Sequence, residues 1–581
     1  MGIVFMVKAG NSLRIGMIWH SAACVIMSIW CLLVPVACMT PDKAVKECDE
    51  TGIRLATDFW QQQTGCTNSF DTHRPADALT LRIALLAAAR GEQNVIFPEI
   101  PSVGNLVVSN GVLTFSLTDA LCVAARNDRQ YQKLKETVFS TALDLDYQQY
   151  QFETSFSGML LALLSGDPGI EKATGKSMAG FDRKMENGLE IAGKLALDVV
   201  SLLRDDWRSL GVTGDLTMTL PLMRGAGREI VREPLTQAER DLIYAIQTFE
   251  YYRQTYAVSI ATAYFDVLEY VQRLKNALDN ERRLADNSRR AEMMFDAGRM
   301  ERIQVDQARS DLLGAGESVI DTRKSYETKL DAFKIKIGLP PESNIVLDSG
   351  ELNRLAAEMD RFAKTSKNAV ELFPDENEAC RIALAKRCDL FITRCGLEDA
   401  ARAVKIAADA LRADLTLTGG ASLDRIRETG GDDFDGEEAL NGSIQTSLPW
   451  NRRKERNAFR KHLIAFEQAK RALEEKEDTV KQAVRSGFRN LISARASYEN
   501  QIEIMKVAKL RVDSNNLFLQ SGRSSMRDIL EAESAMLSAR NALCSAVIQW
   551  HLSDLELRRD MGVLEISETG MWCDVNGENN G

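Results

Sequence analysis

Few residues of this chain have the types and spacing that chemistry needs. The four histidines, His20, His73, His462 and His551, lie far apart and form no His-x-x-x-His pair, so a histidine metal site is not expected. The eleven cysteines include no Cys-x-x-Cys, which leaves zinc and thioredoxin-like chemistry without support. Cys48–Cys66 is the most plausible local disulfide for an exported chain, whereas Cys122, Cys380 and Cys544 read as small core residues. No Gly-x-Ser-x-Gly, His-Glu-x-x-His or Walker A pattern occurs, and Gly225-Ala-Gly227 is too short for a dinucleotide loop. The acidic run Asp432, Asp433, Asp435, Glu437 and Glu438 lacks EF-hand spacing and reads as a solvated loop. No catalytic residue, cofactor or metal is therefore expected. What remains is electrostatic: Asp528 and Glu531 stand six and nine residues past Gly522 and, three apart on a helix, share a face.

The elements that would position such residues are long helices. Only 12 of 581 residues are proline, which suits uninterrupted helices because proline breaks them. From Pro234 to Leu339 apolar residues recur every three or four positions, with Ile260, Tyr264, Val267, Val271, Leu274 and Leu278 as a seam. The run breaks at Ala297-Gly298-Arg299 and stops at Gly338. From Asn451 to Gly562 the plan recurs, with Val484, Phe488, Leu491, Tyr498, Ile502 and Met505 as its stripe and a break at Ser521-Gly522-Arg523. The two runs align without a gap at an offset of 224, Gly298 on Gly522, Arg299 on Arg523 and Gly338 on Gly562. That is the mark of an internal repeat. Helices this long cannot bury a stripe within a compact globule and must lie against other long helices.

Between the helices lie short segments of period two: Tyr150 to Ser157, Leu216 to Leu222, Leu415 to Thr418 and Ser443 to Trp450. They predict four strands with one apolar and one polar face. The span 158–212 is longer than its counterpart and includes Asn187 to Leu203, readable as helix or as further strand. Four strands cannot close a barrel, and an open sheet cannot sit in lipid, so strands in a membrane would have to be pooled by several chains. Lys8 and Arg14 precede an apolar stretch that ends at Cys38, the pattern of a secretory signal over residues 1–38. Ala37-Cys38 resembles a lipobox, which would make Cys38 a lipid anchor. A net charge of −11 argues against nucleic-acid binding.

Together these residues resemble the TolC-like outer-membrane efflux proteins over about residues 112 to 566. The resemblance is carried by Ser116 to Leu121 with Ala124 and Asn127, by Ala379, Ala383, Asp389 and Leu390, by Phe295 to Gly298 with Val305 and Gln307 to Arg309, by Gly522 with Asp528 to Ala532, and by the endings at Gly338 and Gly562. It implies a mainly α fold with a membrane β part: a homotrimer whose chains each give four strands to a twelve-stranded outer-membrane barrel, above an α-helical periplasmic tunnel. It divides the chain into a periplasmic segment at 39–111, repeats at 112–341 and 379–566, a linker at 342–378 and a disordered tail at 567–581. It implies a passive exit duct for small molecules or proteins, docked to a periplasmic adaptor and to an inner-membrane pump or ABC-type secretion transporter. It matches Asp528 and Glu531 to an aperture ring, whose crowded carboxylates are expected to raise one another's pKa. It matches Gly298, Arg299, Gly522 and Arg523 to adaptor-contacting tips, and Gln304 and Ser524 to tip-lock positions, where they cannot form an ion pair. The alternative is a periplasmic coiled-coil adaptor, which needs a lipoyl-type or β-barrel domain between its helices; none is seen.

Overall fold

The computed structural model describes residues 39–65, 70, 84, 86, 87, 107–109, 112–167, 170–202, 208–365, 375–428, 435–448, 450–521 and 523–566. The expected signal with Cys38, the acidic positions Asp432 and Asp433, Gly522 and the expected disordered tail lie outside them. Helix α1 (Pro41–Thr64) is followed by strands β1 (Val107–Ser109) and β2 (Val112–Phe115), then helices α2 (Leu117–Asn127) and α3 (Arg129–Tyr150). Four long strands come next: β3 (Thr154–Asp167), β4 (Ile170–Lys184), β5 (Glu190–Leu202) and β6 (Arg208–Pro221). A single helical turn at Arg228–Val231 leads into α4 (Glu233–Asp296) and α5 (Arg302–Lys336). Strand β7 (Ile345–Leu347) and α6 (Gly350–Thr365) lead to the second half: α7 (Glu376–Lys386), α8 (Cys388–Asp409), β8 (Asp414–Glu428), β9 (Asp435–Ser447), α9 (Arg453–Gln520) and α10 (Met526–Asp560).

The second half repeats the element lengths of the first. Helices α2 and α7 have 11 residues each, α3 and α8 have 22, and α5 and α10 have 35. Ahead of the strands the halves are offset by 259 residues, Leu117 against Glu376; after them the offset is 224, Arg302 against Met526. The first half is longer by the difference, 35 residues, and this surplus lies among its strands. The expectation of four strands per chain is accordingly corrected to six among the described residues, in one antiparallel sheet of order β3-β4-β5-β6-β8-β9. Residues 158–212 supply the additional pair. Strand β4 escaped the sequence reading because Ala179, Ser177 and Gly175 occupy its apolar side, too small to register as alternation. The first expected strand also starts later, at Thr154, since Tyr150 is the last residue of α3.

Register sorts the sheet into two faces, because directly paired residues point the same way. One face carries Phe156 and Leu160 of β3, Phe181 of β4, Ile191, Leu195, Leu197 and Val199 of β5, Leu210, Val212, Leu216, Met218 and Leu220 of β6, Leu415, Leu417 and Leu423 of β8, and Leu440 and Ile444 of β9. Charge returns to that face only toward the strand ends, at Arg183 near the helices and at Arg425, Arg427 and Glu438 at the far end, where Arg425 and Glu438 pair at 2.6 Å. The other face carries Asp182, Lys176, Lys194, Asp198, Asp215, Asp424 and Glu437 among serines and threonines, with Lys176 and Asp198 paired at 3.3 Å. From Leu210 to Leu220 the apolar band runs ~34 Å along the strand, or about 25 Å in height at a tilt of ~40°, which is the thickness of a lipid-facing barrel band. Trp450, fully exposed, and Phe156, 82% exposed, stand near its helix-proximal edge, where aromatic girdles sit.

Each long helix is flanked over its two halves by different partners. Helix α4 is about 96 Å long at 1.5 Å per residue, and packs against α3 on one half and α5 on the other; α9 does the same with α8 and α10. At the waist β2 pairs in parallel with β7 and antiparallel with β1. There Phe115, Tyr264, Phe265, Phe333 and Ile337 meet Val480, Val484, Trp550 and Leu557, so one core joins both halves. Ser116 opens α2 with a capping box, its hydroxyl accepting from the Asp119 amide at 3.2 Å. Cys122 and Cys380 are buried in this region, and Cys48 is an exposed free thiol on α1; its expected partner Cys66 lies outside the described residues. Among the described residues no helix is long and apolar enough to cross a membrane.

The waist also contains a pH-sensitive group. His551 of α10 stands edge-on to the Phe265 ring at 5.3 Å between centroids. Burial first, and Arg558 second, pushes its imidazole down to about 4. The folded state thus holds this proton more weakly than the unfolded chain, whose ordinary value is 6.5. Its contribution to stability is complete above pH 6.5 and is lost as pH falls toward 4, by roughly 2 kcal/mol at pH 5. Thermal unfolding in detergent at pH 7 and pH 5 should show a smaller loss for His551→Gln than for the unaltered chain. Equal losses would place the sensitivity elsewhere.

Candidate functional site

The two helical hairpins end in the same backbone device. At the first tip Gly298 adopts φ 68°, and the Arg299 amide donates to the Met294 carbonyl at 2.8 Å. At the second, 224 residues on, the Arg523 amide donates to the Phe518 carbonyl at 2.8 Å. This six-residue closure satisfies a carbonyl that the ending helix leaves free. Nothing lies within 4 Å of a Cβ built on Gly298, so that glycine serves the turn and not a close packing. Arg299 and Arg523 are exposed beside their turns.

Both tips belong to one end of the molecule. Leu284 and Ala291 of α4, Val305 and Ala308 of α5, Leu519 of α9, and Met526 and Ile529 of α10 form a single apolar cluster there. Ser525 caps α10 in a capping box with Asp528. The Asp528 carboxylate accepts from the Ser525 amide at 2.8 Å, the Ser525 hydroxyl at 2.8 Å and the Ser524 hydroxyl at 3.1 Å. These donors, the Ser525 amide foremost, hold the carboxyl below its ordinary range. Within one chain this is the reverse of the upward shift expected from crowding. Glu531, one turn on, is ion-paired with Arg511 of α9 at 2.9 Å, both side chains being well exposed. Asn515 of α9 donates to the Asp528 carbonyl at 3.0 Å, so the residues around this tip are fixed to both arms of their hairpin.

The expected lock positions are not brought into contact. Gln304 lies in the first turn of α5, and Ser524 directs its hydroxyl to Asp528; among the described residues no hydrogen bond joins the two. The hairpins are tied instead by a polar seam that the sequence reading missed. Arg283 of α4 pairs with Glu533 of α10 at 2.7 Å, Arg290 reaches Asn516 at 3.3 Å, Asn276 reaches Asn541 at 2.9 Å, and Glu269 accepts from Ser545 at 2.6 Å. Glu269, Asn276, Arg283 and Arg290 are seven apart, a heptad signal readable in the sequence but not in a search restricted to apolar residues. Correspondingly, Val271, Leu274 and Leu278 of the expected seam are only half-buried, while Asn276, Asn280, Leu284 and Asn287 are buried.

Known proteins share this fold. Residues 380–563 match the family model described as outer membrane efflux protein. The fold is similar to that of the outer membrane protein VceC from Vibrio cholerae, with a TM-score of 0.54, 14% identity, 77% of this chain and 96% of that one covered. It is similar to the Campylobacter jejuni CmeC outer membrane channel, with a TM-score of 0.53, 13% identity and coverage of 77% and 85%. The open state of the Neisseria gonorrhoeae MtrE outer membrane channel gives 0.54, 13%, 77% and 89%. No curated protein matches the sequence. The resemblance to TolC-like outer-membrane efflux proteins is thus borne out, by a family match over residues 380–563 and by a fold shared over most of the chain.

Proposed function

We propose that this protein is an outer-membrane channel with a periplasmic helical domain, working as the passive exit duct of a tripartite efflux pump or a type I secretion system. The observation that carries this reading is the six-stranded sheet: one face is apolar over a bilayer's thickness, and the edge strands β3 and β9 each have an outer edge with no partner among the described residues. Unpaired backbone in lipid is costly, so the edges need neighbouring copies. Exposed apolar residues at heptad spacing on the outer helices support the same assembly: Leu313 and Ile320 on α5, Leu510 and Leu517 on α9. Three chains would form a closed ring with their tips at the periplasmic mouth. Light scattering on detergent-extracted protein should give a trimer, and a fully helical monomer stable in plain buffer would refute the channel.

In this reading the two repeats, 112–341 and 379–566, arise by duplication, 39–111 is a periplasmic segment, 342–378 is a linker between the repeats, and Cys38 anchors the mature chain through lipid. Gly298, Arg299, Gly522 and Arg523 meet the adaptor, which bridges to the inner-membrane pump or ABC transporter. Small molecules or proteins leave through the duct. Asp528 and Glu531, three copies of each, ring the mouth, with Gln304 and Ser524 beside them. Since its capping donors hold the Asp528 carboxyl below its ordinary range, Asp528 keeps its charge to lower pH than an uncapped aspartate would. Asp528→Asn with Glu531→Gln should lower cation selectivity and weaken block by multivalent cations in planar bilayers. The same exchange at Glu301 and Asp306 should do less. Unchanged selectivity in the first double variant would move the gate elsewhere.

A further inference from the structure

The added hairpin β4–β5 has properties of barrel wall and not of a surface decoration. It sits inside the sheet, flanked by β3 and β6, and pairs in unbroken register along both neighbours. Its apolar side continues that of the other strands, through Phe181, Leu195 and Leu197, while Lys176, Lys194 and Asp198 join the polar side. Its turn is fixed at the level where strands pass into helices. Glu186 pairs with Arg228 at 2.6 Å, and a Cβ on Gly188, at φ 89°, would lie 3.1 Å from both Pro221 and Val231. In this sheet β3 and β6 are joined only through the hairpin, in the middle of the apolar band.

We propose that the membrane pore is an eighteen-stranded barrel, six strands from each of three chains, with a lumen wider than a twelve-stranded one. The inference rests on the trimeric channel reading and deepens it. Six strands alternate in direction, so β9 of one chain and β3 of the next run antiparallel and the ring closes without a mismatch. They are of matching length, 13 and 14 residues. Their apolar residues, Leu440 at 90% and Phe156 at 82%, are the most exposed of the apolar face, as expected of strands that lack a neighbour. Barrel diameter grows roughly in proportion to strand number, so eighteen strands give about 1.5 times the diameter and about twice the cross-section of twelve. The lumen would be water-filled and lined by charges of both signs, which suits bulky, hydrated cargo.

Electron cryomicroscopy of the unaltered protein in lipid nanodiscs counts the strands, and eighteen in a ring of three chains is expected. In parallel, single cysteines are placed in the Cys48→Ser background. Cysteines at Lys176 and Lys194 should react with a membrane-impermeant maleimide, as should one at Thr217 of β6, whereas those at Phe181, Leu195 and Leu216 should lose that reactivity in the nanodisc. A twelve-stranded ring, with the β4 and β5 cysteines all reactive while β6 alternates, overturns this inference and leaves the channel standing. Loss of alternation in β6 as well, with no closed ring, overturns the channel itself.

Discussion

Replacing Arg283 with Met should destabilise the helical domain by about 3–5 kcal/mol, because it strands a buried charge. Glu533 is 3% exposed and receives the Arg283 guanidinium at 2.7 Å. The pair joins the first hairpin to the second, and without it the carboxylate has neither water nor a counter-ion. Changing both residues, Arg283→Met with Glu533→Leu, removes charge from both sides and should recover most of the loss, since a buried ion pair adds little beyond what a well-packed apolar pair supplies. Denaturant unfolding of the detergent-solubilised protein reads the single and double variants. A single variant within ~0.5 kcal/mol of the unaltered chain would show that the pair is solvated and of surface type.

The second large effect is expected at two glycines that end the returning helices. Gly338, at φ 78°, and Gly562, at φ 68°, occupy the left-handed region. A Cβ on Gly338 would fall 2.7 to 3.1 Å from Asn127, its backbone included, and one on Gly562 would fall 3.1 to 3.2 Å from the backbone of Lys386 and Arg387. Asn127 and Lys386 are the last residues of α2 and α7, so in both halves the same corner presses on the same glycine. Alanine at either position meets left-handed strain of ~1–2 kcal/mol and a collision with main chain that cannot step aside. We expect a total near 3 kcal/mol for each, against about 1 kcal/mol for Gly298→Ala, where the space is open. Three equal losses would mean that strain alone acts and that the close approach is relieved at no cost.

Sequence patterns showed the helical hairpins well, because their signals are local and repeated. The breaks at Gly298 and Arg523 sit where α4 and α9 end, and Gly338 and Gly562 stop α5 and α10. The strand count was not legible. Strand β3 has apolar residues on both faces from Met159 to Leu161, and β4 has small ones, so neither shows a clean alternation until its partners are known. At the tips, spacing put Asp528 and Glu531 on one helix face, but not their partners: Arg511 lies 20 residues away along a different helix, and the Ser525 cap depends on where α10 begins. The polar seam was hidden for a further reason. Asn276 and Arg283 on a heptad read as a solvated stripe until Asn541 and Glu533, more than 200 residues on, are set against them.

The pairing of β6 with β8 bears on how the chain folds. Strands β3 to β6 form a meander in which each strand pairs with the next in sequence, and β8 with β9 form one more pair. The single junction between these groups sets Pro221 against Thr416 and Ser209 against Glu428, across the whole of the first helical hairpin. Loops of that length close slowly, so the meander and the β8–β9 pair should form as separate nuclei, with their junction made late. Until then the chain carries four exposed strand edges in place of two. A folding experiment should therefore find protection of β4–β5 amides from hydrogen exchange well before that of the β6–β8 ladder, and this interval is when a chaperone that shields strand edges would matter most.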